Sequence, residues 1–185
     1  MIYVPTRTQR LSKKATRRIS TQQAQWMCRK TPHQGLFLII GCGDELRGDG
    51  AVGSLVAMTV DSWQLESANA IVVRWFSPEL ILRLAQTDYV IFIEPCPEEN
   101  CARTVQIQPV IPNRHAAEIT YTEPERYSPQ MLMSLTCRVY GNCPRAWSFK
   151  IPTERSRYGE RLSSTAKTGV DRAIRTIAQF LRTYQ

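Results

Sequence analysis

The chain has 185 residues, 43% of them hydrophobic, and a formal net charge of +8 at pH 7, enough apolar material for one domain with a core. The charge reads as a nucleic-acid signal until it is located: eight of the 24 Lys and Arg residues precede residue 31, no acid precedes Asp44, and the other sixteen bases balance all sixteen acids. The globular part is therefore expected to be neutral, which removes net charge as a reason to give it a nucleic-acid face.

Residues 1–33 form a basic extension without a sustained apolar stripe, and its Arg, Ser and Thr content without acids resembles a transit peptide. It lacks the apolar run of a secretory signal, and nothing in the chain is long enough to span a membrane. The expectation is a solvated, mostly disordered arm. Two other readings stay open: an electrostatic tether to an anionic partner, or a translation start at Met27.

From residue 34 to 185 the pattern alternates. "LFLIIG" (36–41) is a continuous apolar run closed by glycine, as a buried central strand should be. Val52, Leu55, Val56, Met58 and Trp63 then recur at helical spacing. "AIVVRWF" (70–76) predicts a second strand, and "SPELILRLAQ" (77–86) a helix with Ser77 as N-cap and Pro78 in its first turn. "YVIFIE" (89–94) predicts a third buried strand, halted by Pro95 and Pro97. "RTVQIQPV" (103–110) alternates like a more exposed strand. "SPQMLMSLTCRVYG" (128–141) repeats the Ser-Pro helix start and ends at Gly141; "AWSFKI" (146–151) is a strand, and an amphipathic helix covers about 163–184. Helices between buried strands predict an α/β fold with a central, mostly parallel sheet flanked by helices on both faces.

Six cysteines (Cys28, Cys42, Cys96, Cys101, Cys137 and Cys143) show neither CxxC pairs nor a disulfide framework, so free thiols in a reducing, cytoplasmic setting are expected. A zinc site from Cys96, Cys101, Cys137 and Cys143 has poor spacing and no neighbouring histidine.

In such a sheet, ligands bind beyond the carboxyl ends of the strands. Two ends carry acids: the turn after the first strand, with Asp44, Glu45 and Asp49, and Glu94 at the end of the third. Glycines at 41, 43, 48, 50 and 53 crowd that turn. A dinucleotide fingerprint would need glycine where Leu46 stands, and no Gly-Lys-Ser/Thr run exists. Three carboxylates beside a helix start would repel a phosphate; they suit a cation instead.

"GCGDELRGDGAVG" (41–53) resembles the signature of the hydrogenase maturation endopeptidases: glycine, any residue, glycine, asparagine, several residues, two adjacent acids, a small residue, a hydrophobe and glycine. The likeness continues in "FSPELILRLAQTDYVIFIE" (76–94), "SPQMLMSLTCRVYGNCPRAWSFKIP" (128–152) and "YGERLSSTAKTGV" (158–170), and is greatest to the cyanobacterial-type members. It implies a helix-flanked α/β domain, a nickel-dependent peptidase activity, and a hydrogenase large subunit precursor as the protein partner whose carboxyl-terminal extension is removed.

The resemblance also implies the metal positions, and each is altered. The motif loop is Gly41, Gly43, Asp44, Gly50 and Gly53, with Asp44 in place of the asparagine. Asp49 is the first acid of the pair, and the ligating second acid falls on Gly50, which has no donor. Asp49 itself points about 100° away from its neighbour on a helix start. The strand-end aspartate falls on Glu94, whose extra methylene moves the carboxylate by about 1.5 Å against a ligand tolerance of ~0.2 Å. The histidine falls on Glu125, a harder oxygen donor; His115 lies ten residues upstream of it. The expected ligand set is thus Asp49, Glu94 and Glu125, with no catalytic residue assigned. The leading expectation is a catalytically degenerate relative, without metal, that keeps a protein-binding cleft. The alternatives are an active nickel endopeptidase, or an all-oxygen magnesium site from Asp44, Asp49, Glu94 and Glu125.

Overall fold

The computed structural model describes residues 35–97, 101, 104–113 and 127–184. The arm over 1–33, His115 and Glu125 lie outside the described residues.

Five strands form one sheet in the order β2-β1-β3-β5-β4: β1 (Phe37–Cys42), β2 (Ala68–Val73), β3 (Tyr89–Pro97), β4 (Gln106–Pro109) and β5 (Arg145–Thr153). The first three and β5 run parallel, and β4 pairs antiparallel with β5. The expected α/β class with a mostly parallel sheet is what the chain adopts. β1 and β3 are apolar on consecutive residues because both faces of the sheet are covered. Phe37, Ile39, Ile91 and Ile93 pack under α1 (Val52–Asp61) and α4 (Ser164–Tyr184). Leu38, Ile40, Val90 and Phe92 pack against the face of α2 (Ile81–Ala85) and α3 (Pro129–Tyr140). In α4, Ala166, Gly169, Ala173, Ile177 and Leu181 are buried, a stripe stepping by three or four residues that holds the helix on the sheet.

Three local expectations are corrected. The strand expected at 70–76 lies at Ala68–Val73, because Val73 pairs with Cys42, the last residue of β1. Arg74 and Trp75 then turn out of the sheet. β3 is not halted at residue 94: it runs through both prolines to Pro97, paired with β5. Its pairing with β1 ends at Ile93, so beyond that residue one side of β3 has no strand to which an N–H would donate, and proline is tolerated. Ser77 precedes a 3₁₀ turn (Pro78–Leu80) leading into α2, yet its hydroxyl makes no cap and contacts Glu79 Oε2 at 3.4 Å. Ser128 does cap, accepting from the Met131 N–H at 3.2 Å.

The cysteine expectation also changes. Cys137 and Cys143 form a disulfide with a Cα–Cα distance of 4.9 Å. Gly141, at φ +70°, ends α3 in the left-handed conformation and turns the chain back, bringing Cys143 beside the last turn. Among the described residues Cys42, Cys96 and Cys101 remain thiols, so the four-cysteine zinc set is not assembled. No helix among the described residues is long and apolar enough to cross a membrane.

Candidate functional site

From β1 the chain goes to β2 on one side and then to β3 on the other. The carboxyl ends of β1 and β3 therefore flank a topological switch point, where α/β sheets open a crevice. A cleft of about 820 Å³ lies there, bounded by Gly43, Asp44, Arg47 and Gly50 of the motif loop, Arg74–Phe76 after β2, Glu94 and Pro95 of β3, and Tyr127 and Ser128 ahead of α3.

Close packing sets the floor of this cleft. A Cβ at Gly41 would fall on the Gly53 carbonyl oxygen and lie 2.7 Å from the Ala57 Cβ; one at Gly53 would fall on the Cys42 carbonyl and 2.8 Å from that of Ile93. The two glycines thus let the start of α1 press directly onto the ends of β1 and β3. Between them the loop closes on itself. Gly50 N–H donates to the Arg47 carbonyl at 2.7 Å, Asp44 N–H to the Gly50 carbonyl at 3.1 Å, and Leu46 N–H to Asp44 Oδ1 at 3.1 Å.

Asp49 faces away from the cleft. It is fully buried, and its carboxylate accepts four hydrogen bonds. Oδ1 takes the Ser163 N–H at 2.7 Å; Oδ2 takes the Glu154 N–H at 2.8 Å, the Arg155 N–H at 3.0 Å and the Ser163 hydroxyl at 2.7 Å. In return, Asp49 N–H donates to the Arg155 carbonyl at 2.8 Å. The side chain is a clamp on the 154–163 segment, which the sequence reading did not foresee. Burial alone would raise its pKa, but the hydrogen bonds from Ser163, Arg155 and Glu154 outweigh that and hold it below the ordinary carboxylate range. A depressed folded pKa gives stability that is complete above the unfolded value, about 3.9, and is lost as pH falls through the folded value. Urea melts should therefore show this contribution intact at neutral pH and a falling midpoint below about pH 4.

Glu94 sits half-buried at the cleft, with Oε1 accepting from the Ser148 hydroxyl at 2.9 Å. Asp44 is held below the usual carboxylate range by the Leu46 N–H and by Arg74 and Arg47. Its Oδ2 lies 3.2 Å from Arg74 Nη2 and 3.4 Å from Arg47 Nε. Gly50 is less crowded: an added Cβ would meet Arg47 Cβ at 3.2 Å, a tight contact to which the neighbour must yield by a few tenths of an ångström, and the Asp44 carbonyl at 3.8 Å. Two residues beyond Glu94, burial and a hydrogen bond with the Cys101 thiol push the Cys96 thiol up to about 12.

The structure thus brings Gly43, Asp44, Gly50 and Glu94 to one cleft and turns the Asp49 carboxylate out of it, while Glu125 lies outside the described residues. Among the described residues no three His, Cys, Asp or Glu side chains converge in a way that could hold a metal ion. Arg47, Arg74 and Trp75 were missed by the sequence reading. Arg47 carries a faint signal, three residues after Asp44; Arg74 carries none, since strand pairing alone brings it there.

No protein-family model and no curated protein matches the sequence. Solved structures do. The chain is similar to the [NiFe] hydrogenase maturation protease HycI from Thermococcus kodakarensis, with a TM-score of 0.60 and 19% identity over 80% of this chain and 94% of that one. It is similar to the hydrogenase maturating endopeptidase HybD from E. coli, with a TM-score of 0.58 and 18% identity over 80% and 93%. An uncharacterized protein from Wolinella succinogenes matches with a TM-score of 0.55 and 19% identity over 82% and 99%. Built on a five-stranded sheet with its crevice at the β1/β3 switch point, the chain has the fold of the hydrogenase maturation proteases.

Proposed function

We propose that this protein binds a protein partner in the switch-point cleft without cleaving it, as a non-proteolytic relative of the maturation proteases. One observation carries the reading: the Asp49 carboxylate, the acid the motif retains, is spent entirely on the 154–163 segment. Gly50 offers no donor in its place, and Glu94 is engaged by Ser148. The described residues do not fit a nickel ion. They do not fit the all-oxygen magnesium set either, since Asp44 is already paired with two guanidiniums.

The test is to incubate the full chain with a nickel-loaded hydrogenase large subunit precursor, the partner class the fold suggests. The expected result is a complex on gel filtration and no shortened subunit by mass spectrometry. A shortened subunit would establish the endopeptidase reading instead.

The same site makes a gain-of-function prediction. Because a Cβ at Gly50 would press only on Arg47 Cβ, in a side chain that is itself largely exposed, Gly50→Asp should fold after a small shift there and add a carboxylate to the cleft that Glu94 also lines. By calorimetry the variant is expected to bind nickel more tightly than the wild type by about 1–3 kcal/mol, the size of one charge-assisted contact. Glu125→His should add to the gain more than additively, since both donors would grip one ion. Tight nickel binding by the wild type, unmoved by either change, would show an intact site.

We also propose that residues 1–33 are a solvated extension able to contact an anionic partner, because eight cations without acids cannot be buried unpaired. Limited trypsin digestion should leave a stable core beginning near residue 31; an arm as resistant as the core would refute this.

A further inference from the structure

Arg47 belongs to the motif loop and Arg74 follows β2, yet both guanidiniums meet on one carboxylate oxygen of Asp44, at 3.4 Å and 3.2 Å. Asp44 is only 19% exposed in its side chain and is anchored by the Leu46 N–H, whereas the two arginine side chains are 61% and 62% exposed. A guanidinium carries five N–H donors in a planar fork. Nε of Arg47 and Nη2 of Arg74 are committed to Asp44, and the other donors of both forks belong to exposed side chains that line the cleft. Asp44 compensates only one of the two guanidiniums directly, and Glu94, elsewhere in the cleft lining, brings the formal charge of the whole lining to zero. Asp44 therefore orients the pair without neutralising it.

Beside this wall stands an apolar one. The Arg74 guanidinium lies 5.9 Å from the Trp75 ring, and Trp75 is half exposed, next to buried Phe76 and Tyr127 at the cleft. An indole left in water beside a cleft is the kind of side chain that anchors a bound peptide.

We propose that the cleft takes a peptide segment bearing a carboxylate, gripped by the paired forks of Arg47 and Arg74, with an adjacent apolar side chain laid against Trp75. This rests on the protein-binding reading and supplies its chemistry. A carboxylate suits this lining better than a phosphate: with Asp44 and Glu94 already present, a single negative charge is repelled less than a dianion, and the neighbouring surface is apolar rather than polar. Planar two-oxygen groups are also what a guanidinium fork matches in shape.

The test uses the full chain and two fluorescein-labelled hexapeptides read by anisotropy in about 50 mM salt, where exposed charges are weakly screened. One carries glutamates on either side of a central phenylalanine; the other carries glutamines there. The acidic peptide is expected to bind about tenfold more tightly. Arg74→Gln should cut that preference at least about fivefold, and Arg47→Gln with Arg74→Gln should abolish it. Trp75→Ala should weaken both peptides alike. Thermal melts verify that the variants fold, and Arg74→Lys, which keeps the charge and loses the fork, should restore only part of the preference. Equal binding of the two peptides, no binding of either, or displacement of the acidic peptide by inorganic phosphate at lower concentration than by free acidic peptide would overturn the proposal. Equal binding would still leave a protein-binding cleft, whereas a shortened large subunit would overturn the reading beneath it.

Discussion

Replacing Asp49 with alanine is expected to destabilise the protein by about 3–5 kcal/mol, since each buried donor left without its acceptor costs about 1–3 kcal/mol and relaxation recovers part of the sum. Three backbone N–H groups and the Ser163 hydroxyl lose their acceptor at once. Asp49→Asn should be nearly as damaging, because an amide turns one acceptor into a donor aimed at other donors. Urea denaturation measures the loss. Trypsin supplies an independent reading, since Arg155, Arg157 and Arg161 lie in the freed segment and should become early cleavage sites. A carboxylate serving mainly to hold a metal would behave in the opposite way: without metal, its removal would relieve buried charge and leave stability unchanged or improved.

The second large effect is expected at the glycines beneath the loop. Gly53→Ala would drive a methyl group into the Cys42 and Ile93 carbonyls, and Gly41→Ala into Gly53 and Ala57. These contacts are with backbone, or with a methyl on a packed helix, so no side-chain rotation relieves them. Each substitution should cost more than about 3 kcal/mol, at or beyond the upper end for overpacking, with loss of soluble protein on expression. Gly50→Ala, with only Arg47 Cβ near, should stay within about 1 kcal/mol of wild type. Three denaturation curves would separate these cases, and equal losses at all three positions would contradict the packing described.

These contrasts show which parts of the molecule were readable from the chain alone. β1 and β3 announce themselves because a strand covered on both faces is apolar at every position, and α4 because its small and apolar residues recur at helical spacing. The glycine turn marked the crevice, since backbones in close approach exclude side chains. Asp49 was legible as an acid but not in its role: its partners stand 105 to 114 residues downstream, and backbone N–H groups leave no trace in composition. Pro95 and Pro97 misled for a related reason, since whether a missing donor matters depends on which neighbour the strand has lost. The Cys137–Cys143 bridge depends on the left-handed turn at Gly141, which residue spacing by itself does not state.

Ser163 donates its hydroxyl hydrogen to Asp49 and accepts on the same oxygen from Ala166 N–H in the first turn of α4, at 3.1 Å. One oxygen atom thus ties the motif loop to the start of α4. In evolutionary terms the two residues form a single heritable unit. A change at Asp49 strands the serine's donor, and a change at Ser163 takes one of four donors from a buried carboxylate and removes the acceptor of the Ala166 N–H, so either single substitution costs stability. Threonine at 163 keeps both bonds and is the expected neutral neighbour. Among homologues, apart from that Ser–Thr exchange, positions 49 and 163 should accordingly vary together, and lineages that free the aspartate for another task should show a different residue at the head of that helix.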